Sequence, residues 1–339
     1  MSDTPCVTAW RTTPRGSVAE TVHRVHVAVC RTDGALVAHA GDPELMTPLR
    51  SCLKPFQAQA LFLSGAYERF AVSRAELALA CASHDGAPVH TEAVRAFLGR
   101  LGLDERDLEC GAHPPADRDG LAALAGAAPS ALHNNCSGKH AAMLAAARAL
   151  GAPTRDYLHA RHPVQGLVRQ ALTAALPAPR EIAFGVDGCS APTPVTSLRE
   201  LATMYARLAA PEDLPVPFEV GLRAAFSAMT EYPELVGGRG VLDTRLMRSL
   251  TGIAAKRGAD GVYALAVRAG ERPALGIALK VESGSAEARA PAVMSVLESL
   301  GLMIPAARVA LKDAIRPLRT NLRELVVGHF SAAIPLVTT

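Results

Sequence analysis

Aromatic residues are scarce in this chain of 339 residues, which contains one Trp, five Tyr and eight Phe. Basic residues form no block, and Lys and Arg together exceed Asp and Glu by only three (35 against 32). A basic surface interleaved with stacking rings, as nucleic-acid binding requires, therefore cannot be drawn. The composition, 49% hydrophobic and 20% charged, is typical of a globular enzyme with a large core. The small positive balance would help to attract a carboxylate substrate.

Long apolar runs are also missing from the sequence. The most apolar stretches, such as residues 141–150, are rich in Ala, interrupted by Arg148 and well below the length that spans a bilayer. Residues 1–15 are polar and contain Pro5 and Pro14, without the charged start and apolar run of a secretory signal. We therefore expect no membrane segment, no membrane partner and a cytoplasmic protein.

The cysteines lack paired spacing. They number seven, and no two stand in a CxxC arrangement. In a chain without an export signal, free thiols or metal ligands are favoured over disulfides. Cys136 and Cys189 could meet and, with one or two nitrogen or oxygen ligands, would suit Zn²⁺. On spacing alone, two unrelated buried thiols are the better interpretation.

No repeat, low-complexity tract or flexible linker divides the chain, so residues 1–339 are expected to form a single domain. Helical patterns cover residues 51–64, 73–81, 89–101, 139–150, 163–176, 197–208 and 286–302. Strand patterns cover residues 18–30, 36–39, 182–186, 262–267, 275–281 and 322–327, with a hairpin turn at Asp33-Gly34. We predict a mixed α+β fold. Its antiparallel sheet is built from the two ends of the chain (about 1–45 and 255–339), and residues 50–250 form a large helical middle.

Ser51 and Lys54 form an SxxK pair at the predicted start of a helix. Residues three apart share a helical face, so the hydroxyl and the amine can meet. A neutral lysine can take the proton of an attacking serine, and burial or a second cation would keep it neutral. The helix start would add N–H donors for an oxyanion. Taken alone, the pair is equally typical of a solvated lysine one turn from a capping serine.

Two more segments strengthen this interpretation. Ser83 lies in a polar turn that follows an apolar helix, and Lys256 lies in Lys-Arg-Gly just before a predicted strand. With the SxxK pair they echo, in the same order, the three-part signature of penicillin-recognising enzymes. Ser83 and Lys256 would form a second hydroxyl–amine pair, and the charge of Lys256 would lower the pKa of Lys54. A turn residue and a surface charge remain the simpler interpretation of either residue taken singly.

The densest polar run, residues 133–140 (HNNCSGKH), opens directly onto an apolar helix, and residues 187–192 (DGCSAP) follow a short strand. Five segments, two of which overlap these runs, resemble the motif series of the asparaginase II family, the Rhizobium-etli-type L-asparaginases. The segments are RSCLKP, ASHDG, NNCSGKHAAML, GVDGCSAPT and KRGADGVYA. The likeness runs from about residue 18 to the last predicted strand. It implies a fold related to glutaminases and serine β-lactamases, and hydrolysis of L-asparagine to L-aspartate and ammonia.

The resemblance also implies roles for individual residues. The catalytic pairs would be Ser51–Lys54 and Ser83–Lys256. We favour Ser51 as the attacking serine, with a relay through Ser83 as the alternative. A zinc ion, one per chain, would be bound by Cys136, Cys189 and a deprotonated Lys139, and would anchor the substrate or order the helix start. Substrate contacts are implied for Arg50, as a carboxylate clamp, and for Asn135, His140 and Asp187. A homodimer is expected from the family.

Three other functions are compatible with these residues. A glutaminase or another small-amide hydrolase would use the same groups in a roomier pocket. A penicillin-recognising enzyme would share the Ser-Lys pair but would be exported, and the sequence shows no export signal. A non-catalytic, zinc-dependent ligand-binding protein would keep the fold without turnover. One detail departs from the family pattern: Cys52 puts a thiol inside the SxxK segment, where it would be open to modification if it faced the site. Lys280 is another lysine near a strand end, but Lys256 is favoured by its Lys-x-Gly context.

Overall fold

The computed structural model describes residues 4–339. Its strands are β1 (Cys6–Thr13), β2 (Gly16–Cys30), β3 (Leu36–Ala40), β4 (Met46–Pro48), β5 (Phe184–Val186), β6 (Pro192–Ser197), β7 (Ile253–Arg257), β8 (Val262–Val267), β9 (Leu275–Val281), β10 (Leu318–Thr320), β11 (Val326–Ala333) and β12 (Val337–Thr338).

The main sheet joins the two ends of the chain. Its strand order is β10-β11-β1-β2-β9-β8-β7, and every paired neighbour is antiparallel. The first half of β2 pairs with β1, and its second half lies between β9 and β3, which also pairs with β12. A small second sheet has the order β4-β6-β5. The predicted α+β architecture, with N- and C-terminal strands in one antiparallel sheet, is thereby confirmed.

The region between the two strand groups is mainly helical. The helices are α1 (Lys54–Gln57), α2 (Ala60–Leu63), α3 (Ala66–Arg69), α4 (Arg74–Ala80), α5 (Pro88–Arg100), α6 (Arg118–Ala123), α7 (Ser137–Leu150), α8 (Pro163–Ala175), α9 (Leu198–Ala209), α10 (Val216–Glu231), α11 (Pro233–Gly237), α12 (Leu242–Ser249), α13 (Ala286–Ser299), α14 (Pro305–Ala310) and α15 (Lys312–Ile315). Short 3₁₀ turns occur at Arg50–Leu53, Glu105–Asp107 and Ala131–His133.

Most predicted helices are present close to their predicted ends, but the one predicted for residues 51–64 is not continuous. A 3₁₀ turn, α1 and α2 replace it. Pro55 stands in the first turn of α1 and has no N–H to donate to the preceding turn, so a regular helix cannot run through it from Ser51.

The strand predictions were incomplete, because β1, β4, β6, β7, β10 and β12 were not predicted. β7 has few strand-forming residues and is defined by its pairing with β8. β1 contains strand-forming Val, Thr and Trp residues, and this signal was overlooked. The bounds of the last predicted strand also need correction. The last long strand is Val326–Ala333 instead of residues 322–327, and Leu322 is fully exposed in the turn before it. The hairpin turn at Asp33-Gly34 is confirmed, since β2 and β3 pair directly across it.

The core lies on both sides of the sheet. α9 packs against β9, β8 and β2, and α13 contacts β11, β1 and β9. The approach of α9 is so close that a Cβ on Gly276 of β9 would lie 1.7 Å from the carbonyl oxygen of Ala202. β8 is buried along its whole length. One cluster of buried side chains includes residues of both the sheet and the helical middle; the description of the chain as a single catalytic domain stays a prediction.

Across residues 4–339, no helix combines the length and the apolar character needed to cross a lipid bilayer.

Candidate active site

The SxxK segment lies where β4 gives way to the first 3₁₀ turn. Arg50 enters this turn with a φ of 51°, a left-handed conformation that a bulky side chain rarely adopts. Its backbone N–H donates to Thr193 Oγ1 at 3.2 Å, which ties the turn to β6. Strain of this kind persists where the surrounding structure holds it, and such positions cluster at functional sites.

Ser83 is the hydroxyl on which two lysines converge. Lys54 Nζ lies 2.9 Å from Ser83 Oγ, and Lys256 Nζ lies 2.8 Å from the same atom. Both lysine side chains are completely buried, and Ser83 is 3% exposed. Lys54 also donates to the carbonyl oxygens of Ala82 and Asn135. The structure therefore brings together three of the four predicted catalytic residues.

The expected pairing differs in one respect. Within the part of the chain that the structure describes, no hydrogen bond joins Ser51 to Lys54, and Lys54 contacts Ser83 instead. Ser51 is only partly buried, beside Arg50 at the exposed edge of the site. Catalytic hydrogen bonds are often long in ligand-free enzymes and tighten when substrate binds. The roles of Ser51 and Ser83 therefore stay predictions.

The lysine pair is suited to proton transfer because burial opposes the charged form. Burial lowers the pKa of Lys54, and the cationic Lys139 lowers it further, while the nearby thiolates oppose the shift. The pKa of Lys256 is lowered to about 7, mainly by burial and also by the charge of Lys54, against an opposing effect of Asp243. At neutral pH, Lys256 can therefore act as an uncharged amine.

The expectation of a helix start with free N–H donors at Ser51 is wrong. No long helix starts at Ser51, and the N–H of Cys52 already donates to the carbonyl of Leu49, so this donor is not free for an oxyanion. Cys52 also does not offer a modifiable thiol. Its Sγ faces the carbonyl of Lys256 at 3.3 Å, and burial raises the pKa of this thiol to about 12.

The predicted metal ligands lie together beneath the lysines. Lys139 Nζ is 3.0 Å from Cys189 Sγ, and Cys136 Sγ is 3.0 Å from Asn135 Oδ1. All three ligand side chains are at least 96% buried. The pKa of the Cys136 thiol is held well below its ordinary value by a hydrogen bond from Cys189 and by the charges of Lys54 and Lys139.

Two sulfurs and one amine fit zinc, which accepts soft thiolate and nitrogen ligands and leaves a position open when it has three protein ligands. In residues 4–339, no group of three His, Cys, Asp or Glu side chains is arranged to bind a metal. A metal at this place would therefore need Lys139 as its third protein ligand.

A glycine allows the ligand-bearing helix to approach the Ser83 loop. Gly138 lies in the first turn of α7, where a Cβ would be 2.3 Å from the carbonyl oxygen of Leu79 in α4. Only glycine fits this contact without a shift. The close approach holds Cys136 and Lys139 next to the loop that follows α4.

Arg50 and Asp187 also meet, as predicted for two substrate-binding residues. Arg50 Nε lies 2.9 Å from Asp187 Oδ1, although Nε is buried without an aligned hydrogen-bond acceptor, so the contact is ionic. Arg50 Nη1 donates to Asp260 Oδ2 at 2.8 Å. Asp260 was not predicted as part of the site.

His140 presents one free nitrogen. The N–H of Glu109 donates to the Tyr157 hydroxyl at 2.8 Å, and the same hydroxyl forms a hydrogen bond of 2.7 Å with His140 Nδ1. The other ring nitrogen, Nε2, is buried without a partner. Burial keeps the pKa of His140 well below its ordinary value, so the ring stays neutral. No motif indicated the part played by Tyr157.

Two residues that sequence reasoning missed support the catalytic centre. Asp243 is completely buried, and its Oδ2 accepts from the backbone N–H of Arg257 at 3.0 Å. Arg257 was missed although it stands next to Lys256 in the motif that indicated the site. Asp243 precedes no recognisable motif and could not have been found by spacing.

A cavity of about 530 Å³ lies on the other side of the Ser83 loop. Asp85 and His90 line it, together with residues of α10 and α11, and none of the predicted site residues does. His90 Nδ1 lies 3.0 Å from Asp85 Oδ1, and its Nε2 faces the carbonyl of Glu234 at 2.9 Å. These contacts of His90 hold the loop that contains Ser83 and Asp85 against α11.

The chain is similar to several solved structures. The protein Mglu, in its native form in 4.3 M NaCl, matches with 15% identity and a TM-score of 0.47, over 83% of this chain and 62% of its own. A probable glutaminase from Bacillus subtilis, complexed with 6-diazo-5-oxo-L-norleucine, matches with 14% identity and a TM-score of 0.41, over 83% and 85%. The present chain thus spans about three fifths of the Mglu chain. At these scores, the fold assignment rests on the strand order given above.

No curated protein sequence matches the chain significantly. The model of the L-asparaginase II family, in contrast, matches residues 12–332. All five motifs lie within this span, and the resemblance noted in the sequence is thereby confirmed. The chain belongs to the L-asparaginase II family.

Proposed function

We propose that the protein is an L-asparaginase, which hydrolyses the side-chain amide of L-asparagine to L-aspartate and ammonia. The observation that carries the proposal is the Ser83 hydroxyl between the Nζ atoms of two fully buried lysines. Amines kept neutral by burial can accept a proton from a serine, which is the activation that acyl transfer by a hydroxyl requires.

Ser51 is proposed to attack, because it lies at the exposed edge of the site whereas Ser83 is enclosed. Its Oγ bonds to the amide carbon while its proton passes to Lys54. The C–N bond then breaks, Lys54 returns the proton to the leaving nitrogen, and ammonia departs. Water attacks the resulting ester by the same proton route and releases L-aspartate. Ser83 connects Lys54 to Lys256, so the proton can be shared between the two amines.

The groups around Ser51 favour a zwitterionic amino acid as substrate. Arg50 offers a guanidinium for the α-carboxylate, and Asp187 offers a carboxylate for the ammonium group. His140 Nε2 belongs to a neutral ring and is buried without a partner, so a polar group of the substrate would satisfy it. These contacts support asparagine as well as its larger homologue glutamine, and only the depth of the site would separate the two.

Cys136, Lys139 and Cys189 would hold the proposed zinc ion. When bound, zinc would supply a fixed positive charge beside the substrate. The three residues also keep the start of α7 against the lysine pair, whether or not the ion takes part in turnover. We further propose that the enzyme is cytoplasmic and that it forms a homodimer. Light scattering of the purified protein would test for the dimer.

An ammonia-release assay on L-asparagine and L-glutamine tests the proposal. We expect release from L-asparagine, and we expect Ser51→Ala to lower it by at least about 10³-fold without unfolding the protein. Ser64→Ala is the matched control, because the Ser64 hydroxyl bonds to backbone groups of residues 60, 61 and 66, which lie outside the site. Faster release from L-glutamine would show a glutaminase instead.

Mass spectrometry of the acyl-enzyme, trapped by rapid acid quench, identifies the attacking serine. A modified peptide containing Ser51 is expected. An acyl group on the peptide containing Ser83, together with near-normal rates in Ser51→Ala, would contradict the assignment and make Ser83 the nucleophile, with Lys256 as its base.

A further inference from the structure

We infer that Asp260 is an intramolecular competitor of the substrate carboxylate at Arg50, and that substrate affinity is set by how readily Asp260 leaves. The inference rests on the proposed role of Arg50 as the carboxylate clamp. Asp260 belongs to the turn between β7 and β8 and comes from a different part of the chain than Arg50.

The contacts of Arg50 leave no free edge on its guanidinium. A carboxylate binds arginine best through two parallel hydrogen bonds, from Nη2 together with either Nη1 or Nε. Asp260 Oδ2 is 2.8 Å from Nη1, and Asp187 Oδ1 is 2.9 Å from Nε. An arriving carboxylate must therefore displace one of these two side chains.

Asp260 is the side chain that can leave at lower cost. The Asp187 side chain is 11% exposed, and its Oδ1 also accepts the N–H of Gly188 at 2.9 Å. The Asp260 side chain is 66% exposed, and within residues 4–339 its one ion pair is with Arg50. Exposed ion pairs contribute little free energy, since water and salt screen them.

The turn is held by its backbone, so the Asp260 side chain can rotate away without moving the chain. Asp260 has a φ of 53° and Gly261 a φ of 77°. A Cβ on Gly261 would lie 2.6 Å from the carbonyl of Val281, which packs the turn tightly against the end of β9. Lys280 Nζ donates to the carbonyl oxygen of Asp260. These contacts do not depend on the Asp260 carboxylate.

Asp260→Asn tests the inference, because it removes the charge and keeps the shape. We expect the KM for L-asparagine to fall about two- to five-fold, the range that loss of a competing exposed ion pair allows. The dissociation constant of L-aspartate, measured by calorimetry, should fall by the same factor. Asp313→Asn is the matched control: Asp313 is 64% exposed and pairs with Arg245, which is 27% exposed like Arg50.

A KM and a dissociation constant that stay unchanged or rise in Asp260→Asn would overturn the inference, since Asp260 would then hold Arg50 in place for the substrate. A wild-type protein that releases no ammonia from L-asparagine would refute the proposed substrate. The L-aspartate titration would still show whether Asp260 competes with a carboxylate at Arg50. Tighter binding by Asp260→Asn than by wild type and by Asp313→Asn supports competition. Equal binding, weaker binding or no binding to any of the three proteins overturns it.

Discussion

The guanidinium of Arg257 donates a hydrogen bond of 2.6 Å to the carbonyl oxygen of Ser83, so the residue that follows Lys256 fixes the backbone of the serine that Lys256 contacts. On the other side of the loop, the N–H of Ser83 donates to the carbonyl of Val236. Arg257 is itself held, because its N–H donates to the buried Asp243. The end of β7 thus positions both partners of the Ser83–Lys256 contact, which keeps their separation short without help from a substrate.

Activity should rise with pH through about 7, because the pKa of Lys256 is lowered to about 7 by burial and only the uncharged amine accepts a proton. Lys256→Met should lower kcat/KM by at least about 10²-fold and remove this step from the pH profile. The control is Lys312→Met, at an exposed position of α15. A step near pH 7 that persists in the residual activity of Lys256→Met would assign it to another group.

The same lysine makes the stability of the fold depend on pH. Its pKa is lower in the folded chain than its ordinary value of 10.5, so between these values the unfolded chain binds more protons and the free energy of unfolding rises with pH. The cost of burying Lys256 is largest below about pH 7 and fades toward 10.5. Lys256→Met should therefore stabilise the protein more at about pH 6 than at about pH 10, as denaturant unfolding would show.

Zinc content provides a test of the cysteine–lysine cluster that does not depend on activity. Protein purified without chelator should carry about one zinc ion per chain, and Cys136→Ala Cys189→Ala should carry none, because one amine cannot hold the ion alone. The control, Cys6→Ala Cys30→Ala, removes the same number of thiols outside the cluster. Full zinc content in the first double variant would exclude this site.

Sequence patterns best predicted the elements whose own residues are mainly apolar. β8 and β9 were predicted at their observed bounds, because β8 is a continuous apolar run and β9 is interrupted by Lys280 only near its end. β7 was missed, because Ala254, Ala255 and Lys256 have little strand preference and become a strand only by pairing with β8.

The partners within the site were harder to predict than its members. The three-residue spacing of Ser51 and Lys54 predicted a local contact, but the long-range contact of Lys54 with Ser83 replaced it. Tyr157 comes from a segment without a motif. Asp260 lies within the motif KRGADGVYA, but nothing in that motif indicated a contact with Arg50, which only the folded chain creates.

Tyr157 should hold the ring of His140 in place. In Tyr157→Phe, His140 Nδ1 loses its hydrogen bond of 2.7 Å, the orientation of the ring is no longer fixed, and the KM for L-asparagine should rise about two- to ten-fold. The N–H of Glu109 also loses its acceptor, which should lower the free energy of unfolding by about 1–3 kcal/mol. Tyr67→Phe, whose ring stacks on Phe62 outside the site, is the control. A loss of stability with an unchanged KM would make Tyr157 a purely structural residue.

Gly138 and Gly166 offer a matched pair of helical glycines. Gly138→Ala places a Cβ against the carbonyl of Leu79, so the first turn of α7 must move away from α4, at a cost of about 1–3 kcal/mol in the free energy of unfolding. Because Cys136 and Lys139 move with this turn, zinc content and ammonia release should fall as well.

Gly166→Ala in α8 meets nothing within 4 Å and should instead stabilise the protein by about 0.5–1 kcal/mol, since alanine restricts the unfolded chain and favours helix. Denaturant unfolding of both variants measures the difference. Equal stability of Gly138→Ala and Gly166→Ala would mean that α7 does not approach α4 as closely as the structure has it. The placement of the metal ligands beside Ser83 would then not depend on a glycine at position 138.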